Sequence, residues 1–113
     1  MHEMSLAENV RELIEETAAR EGFTRVKSVR VEIGALSNVE REAFAFCFDL
    51  AMQGGITDGA RLEIVATPGR GRCPQCGRET PLGKVYDPCT HCGGFPVEVT
   101  SGTAMRVIDL EVE

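Results

Sequence analysis

The sequence predicts an α+β protein: a small three-stranded sheet with two helices, plus an inserted four-cysteine ribbon domain. Three observations predict it. Two stretches of helical apolar spacing alternate with two short strand-like stretches in the first two thirds of the chain. A run rich in Gly, Pro and Cys then extends from Arg70 to Phe95. A last alternating stretch, TAMRVIDLEV, follows it. The implied division is an α+β domain of residues 1–69 and 101–113, with the ribbon domain occupying 70–100.

Taken in order, residues 3–20 read as an amphipathic helix. Leu6, Val10, Leu13, Ile14 and Thr17 share a face, and Glu8, Arg11, Glu12, Glu15 and Glu16 lie off it. Ser5 and Glu8 fit a capping box, which offers a second start at Ser5, and Gly22 ends the helix. SVRVEI at 28–33 alternates as a half-buried strand, closed by Gly34. Ser37 and Glu40 form another capping box, opening a helix to about Gln53. Phe44, Cys47, Phe48 and Ala51 make its apolar stripe, with Phe46 and Leu50 off that stripe, so the helix is expected to touch two neighbours. Cys47 reads as a small core residue. RLEIVA at 61–66 is a second strand, broken by Pro68-Gly69. In the final strand Met105 and Val107 fall out of phase with Ile108, Leu110 and Val112, which predicts a bulge or change of face near Val107.

Composition narrows the function. The 113 residues suit one modest core with a small appendage. Eighteen acids against twelve bases, a formal net charge of −6, argue against coating nucleic acid or an anionic membrane with the whole surface. No apolar run approaches the roughly 20 residues of a membrane span, and the start lacks the apolar core of a signal peptide. The expected compartment is cytoplasmic, where clustered thiols bind metal more readily than they form disulfides.

The clustered thiols are Cys73-x2-Cys76 and Cys89-x2-Cys92, in the repeated contexts CPQCG and CTHCG. Each C-x2-C turn sets two sulfurs on one side of a tight loop. Two facing turns supply a tetrahedron of thiolates, the geometry of structural zinc at Zn–S distances of ~2.3 Å. Such a site is closed, so its role is structural. The insert has few large apolar side chains, so its fold should depend on the metal; the dozen residues between the pairs, with Gly83 and Val85-Tyr86, suit a small hairpin. Iron in the same tetrahedron and a dithiol redox pair are alternatives. Arg70, Arg72, Arg78 and Lys84 also leave room for a zinc-ribbon nucleic-acid-binding module, although only Tyr86 adds an aromatic. His91 reads as exposed, since four thiolates already saturate the ion.

The chain opens MHEMSLAENV. Most chain ends fray, so His2 can simply be solvated. The Met1 amine, the His2 amide and His2 Nδ1 can equally close two fused chelate rings on one metal, with the Glu3 amide or carboxylate completing the set. Such nitrogen-rich, roughly planar ligation suits Ni(II) or Cu(II). The first amides of a helix have no intrahelical acceptor, so ionising one breaks no helical hydrogen bond.

MHEMSLAENV, VEIGALSNVE, the paired CPQCG and CTHCG, and SGTAMRVIDLEVE together resemble the HypA/HybF family, nickel metallochaperones of [NiFe]-hydrogenase maturation. The likeness covers essentially the whole chain. It implies a non-enzymatic protein carrying transient Ni(II) on Met1, His2 and Glu3, and structural Zn(II) on Cys73, Cys76, Cys89 and Cys92. It also implies work with a HypB-type GTPase and the hydrogenase large subunit, with some members serving urease maturation proteins, and no nucleic-acid or membrane partner. Many members carry an aspartate in the loop after the first strand. Glu40 takes that place here, so the resemblance carries no assisting role over to it.

Overall fold

The computed structural model describes residues 2–113. The elements are α1 (Glu3–Glu21), β1 (Val26–Gly34), α2 (Arg41–Ala51), a single 3₁₀ turn (Gly55–Thr57), β2 (Arg61–Thr67), β3 (Arg70–Arg72), β4 (Glu79–Pro81), β5 (Glu98–Ser101) and β6 (Met105–Val112). Strands β2, β1 and β6 form one three-stranded sheet in that order, and β4, β3 and β5 form a second. The expected three-stranded sheet and two helices are thus present, and the cysteine-rich insert has a small sheet of its own. Among the described residues, no helix is long and apolar enough to cross a membrane.

Two compact units emerge. The first comprises the chain to Val31, Val39–Ile64 and Val107–Glu113; the second comprises Glu32–Asn38 and Val65–Arg106. The division falls within β1, β2 and β6.

In the first unit, α1 buries Ala7, Val10 and Ile14, and α2 buries Phe44, Cys47 and Phe48. Val26, Val29 and Val31 of β1 and Met52 complete the core. Cys47 is a core residue, as its place on the stripe predicts. The two helices run in the same direction. At one end the Glu40 N–H donates to the Glu3 carboxylate (3.2 Å). At the other, the Arg11 guanidinium donates to the carbonyls of Ala51 (2.8 Å), Gln53 (2.7 Å) and Gly54 (2.8 Å). These are carbonyls at and just past the end of α2, which have no helical donor and carry its negative partial charge, so a cation suits them.

One helix start keeps the sequence reading and one departs from it. α1 begins at Glu3, with His2 at the N-cap, and not at the alternative Ser5. α2 begins one turn later than the Ser37 capping box implies. Glu40 is its N-cap, its carboxylate accepting the Ala43 N–H (2.6 Å). Ser37 instead donates its hydroxyl to the Gly34 carbonyl (2.7 Å). The C-terminus of α1 is as expected: Gly22 adopts φ 86° and donates to Ala18.

In the second unit, β3 pairs antiparallel with β4 (Gly71 opposite Thr80) and with β5 (Gly71 opposite Val99), with a register shift between Arg70 and Gly71. Leu36, Cys73, Leu82, Cys89 and Val97 form a small core, joined by Val99. Leu36, from outside the insert, is the piece that insert composition could not disclose. Val85 and Tyr86 do not form the expected hairpin. They lie in an exposed turn whose Gly83 and Lys84 amides donate to the Asp87 carboxylate (2.9 and 3.0 Å). Gly102 sits where three backbones meet. Its N-terminal neighbour strand returns past Pro68-Gly69, and its carbonyl accepts the Leu36 N–H (2.7 Å). A Cβ there would stand 2.6 Å from Gly69 Cα, at a φ of +96°.

Two substitutions test this account by urea or thermal unfolding. Arg11→Ala should lower stability by about 1–3 kcal/mol, because three carbonyls lose their shared donor. Gly102→Ala should cost about 2–4 kcal/mol, since the added methyl meets backbone rather than a side chain that can move.

Candidate metal centres

The two C-x2-C turns are built alike. In the first, the Gly77 N–H donates to the Cys73 carbonyl (2.8 Å) and the Cys73 N–H to Arg78 (2.9 Å). In the second, the Gly93 N–H donates to the Cys89 carbonyl (2.9 Å) and the Cys89 N–H to Gly94 (2.9 Å). Gly77 and Gly93 hold φ of 75° and 74°, the left-handed turn that returns the chain after each second cysteine. Cys73 and Cys89 are buried, and Cys76 and Cys92 are exposed.

The turns bring the four sulfurs within 4.8 Å of one another. Cys73 and Cys92 Sγ are 3.6 Å apart, and Cys76 and Cys89 Sγ 3.7 Å. A tetrahedral ion with metal–sulfur bonds of ~2.3 Å requires sulfur–sulfur edges of ~3.8 Å, so the donor set fits zinc or iron. Charge leads to the same conclusion. The Cys76 amide draws the Cys73 thiol down against the cost of burial, helped by the Gln75 amide. Cys89 is lowered to about 6, by the Cys92 amide first, with burial opposing and the His91 amide assisting (N···S 3.4 Å). At Cys92 the Gly94 amide pulls the same way, but Cys73, burial, Cys76 and Cys89 outweigh it and the thiol is pushed up to about 11. Without a cation the cluster therefore cannot hold four negative charges at neutral pH.

Supports around the cluster had no sequence signal. Thr80, fully buried, meets the Thr90 hydroxyl (3.0 Å) and accepts the Thr90 N–H (3.2 Å), tying the second turn to β4. His91 is exposed and its Nε2 donates to the Glu79 carbonyl (3.2 Å). Arg70 pairs with Glu79 (2.6 Å), and Arg72 donates to Gly77 (2.7 Å). Two of the four cations that suggested nucleic acid are thereby occupied.

At the amino end, Met1 lies outside the described residues. His2 is exposed; its carbonyl accepts the Leu6 N–H (2.9 Å), and its side chain makes no capping bond. Glu3 is 5% exposed, so its carboxylate points inward. The Glu40 amide holds that carboxyl below the usual range, aided by the Glu3 and His2 amides and the His2 charge against the cost of burial. Glu40 gives its amide to Glu3 and its carboxylate to Ala43, so it joins the starts of the two helices.

Cys73→Ser should release most bound metal and disrupt the second unit, while much of the helical signal of α1 and α2 persists; metal analysis with circular dichroism checks both. Adding metal to the metal-free protein near pH 7 should release fewer than four protons, because Cys89 enters already ionised. Affinity should fall as pH drops through about 6, where Cys89 takes up its proton and competes with the ion. A pH-stat titration measures both effects.

Comparison with known proteins accords with this arrangement. Residues 1–112 match the family model described as hydrogenase/urease nickel incorporation, metallochaperone, hypA. The chain is 52% identical over 113 residues to the hydrogenase maturation factor HypA of Dechloromonas aromatica (strain RCB), and 50% identical over 113 residues to that of Albidiferax ferrireducens, with all of each chain covered. The solution structure of the Ni metallochaperone HypA from Helicobacter pylori aligns with a TM-score of 0.71 at 27% identity, over 99% of this chain and 97% of that one. The chain belongs to the HypA family of hydrogenase and urease nickel-incorporation metallochaperones, which are maturation factors and not enzymes.

Proposed function

We propose that this chain captures Ni(II) at its amino terminus and delivers it during [NiFe]-hydrogenase maturation, with a structural zinc ion on Cys73, Cys76, Cys89 and Cys92. In this reading residues 1–69 and 101–113 are the nickel-binding domain and 70–100 the zinc-ribbon domain. The Met1 amine, the His2 amide and His2 Nδ1 form two fused chelate rings. Glu3 contributes its amide, while its carboxylate stays on Glu40 and fixes the start of α1.

The observation that carries the nickel assignment is the setting of His2. It is exposed, its ring caps nothing, and it begins a helix whose first amides lack acceptors. Beside it, Glu3 is buried and negatively charged, and so anchors the terminus without leaving it. The positions above and below such a planar set stay open, and they are where a recipient's ligand can attack. The recipient is the hydrogenase large subunit, reached with a HypB-type GTPase in the cytoplasm, and urease maturation proteins are a second outlet. Zinc, when bound, would cancel half of the four thiolate charges and contribute roughly 10–16 kcal/mol, as in small modules, which suits a unit whose core is so small.

The test compares protein with a native amino terminus, a form carrying an N-terminal tag, and His2→Ala. Native protein should take up one nickel; the other two should lose that site and keep their zinc. Nickel affinity of the native form should weaken as pH falls from about 8 to about 6, because amine, amide and imidazole bind only after losing protons. Calorimetry showing equal nickel binding by all three would place nickel elsewhere.

A further inference from the structure

We propose that the outer face of α2, centred on Phe46 and Leu50, is a docking surface for a basic amphipathic helix of a partner protein. α2 uses Phe44, Cys47 and Phe48 for the core. Phe46 and Leu50, one turn apart on the other side, are 67% and 44% exposed. The sequence pattern implied a second neighbour for this side, and none covers it within the described chain. An exposed Phe-Leu pair leaves apolar surface in water that contact with a partner would cover.

Charge selects the occupant. Glu42 precedes Phe46 by one turn and Asp49 follows it by three residues, so acids stand at the margins of the apolar pair. Neither forms an ion pair among the described residues, whereas Arg11–Glu15, Arg30–Asp109, Arg70–Glu79 and Arg106–Glu32 are paired. Alongside, a cavity of about 330 Å³ is lined by Glu40, Arg41, Glu42, Ala45 and Ile64. Ala45 and Ile64 give it apolar walls, and the two glutamates outnumber Arg41. A helix presenting apolar residues at i, i+3 and i+4, bordered by Lys or Arg, matches this face in both respects. A second copy of this chain fits less well: α2 against α2 in parallel sets Glu42 and Asp49 against the same acids of the copy, and in the antiparallel arrangement α2 offers them no base but Arg41.

Phe46 lies six residues beyond Glu40, about 9 Å along the helix, and Glu40 holds Glu3 beside His2. A partner seated on α2 therefore stands next to the amino terminus. That consequence rests on the nickel reading; the docking surface does not.

The test uses the ¹⁵N-labelled full chain with its metal bound. The probes are two peptides of about 18 residues with leucines at helical spacing, one filled with lysine and the other with glutamate. The lysine peptide should bind and shift amide signals of α2 around residues 42–50, and the glutamate peptide should not bind. Phe46→Ser with Leu50→Ser should weaken binding roughly tenfold or more, with an unchanged thermal midpoint because both positions are exposed. Phe46→Lys alone, which also repels the probe, should weaken it if the double variant proves unstable. Glu42→Gln with Asp49→Asn should weaken binding and flatten its salt dependence. Shifts centred on the acids of α1 or on the second unit would overturn the proposal. So would unchanged affinity in the Phe46 variants, or self-association of the native chain that those variants abolish. His2→Ala must still bind the lysine peptide; loss of nickel with docking intact would separate failure of one reading from failure of the other.

Discussion

Four thiolates confined within 4.8 Å repel one another, and the second unit is organised around that repulsion. Its core is a few aliphatic side chains with two of the cysteines themselves. The amides of Gln75, Cys76, His91 and Cys92 point at sulfur and stabilise negative charge, but they do not suffice for all four. A cation bound among the sulfurs would turn that repulsion into attraction. The short strands β3, β4 and β5, the Thr80–Thr90 contact and the paired glycine turns then serve to present sulfur at tetrahedral spacing.

The first unit follows a different logic. Its stability comes from an ordinary apolar core, and its polar contacts set alignment. Glu40 connects the beginnings of both helices, and Arg11 connects α1 to the end of α2. Between these two fasteners the helices cannot slide past each other without breaking a partly buried bond at each end. The start of α1 is thereby placed by contacts distant in sequence, which a fraying terminus would otherwise lack.

Much of this was legible in the sequence, for identifiable reasons. Helical spacing with Gly22 located α1, because amphipathicity and a left-handed cap are both local signals. The two C-x2-C motifs located the sulfur cluster, because their spacing is itself geometric. The start of α2 was misplaced because two capping patterns overlap: Ser37 satisfies Gly34 instead, and Glu40 caps with its own carboxylate. The turn at Val85-Tyr86 was misread as a hairpin, since a VY pair looks like strand until Asp87 claims the preceding amides. Thr80, Gly102 and the inward carboxylate of Glu3 were illegible, because each acts through a partner far along the chain.

The common direction of α1 and α2 has a consequence for anything bound at the amino terminus. Helix macrodipoles are positive at their starts, and here two starts lie side by side. Each opposes a nearby cation by about 0.3–1 kcal/mol, and the carboxylates of Glu3 and Glu40, which accept the Glu40 and Ala43 amides, stand at these starts to offset it. A divalent ion held there would meet helix starts and carboxylates whose fields oppose each other, so its own ligands would have to supply the binding. Retention and release would then depend on exchange of those ligands, and the fold would serve to hold the end of the chain in place for that exchange.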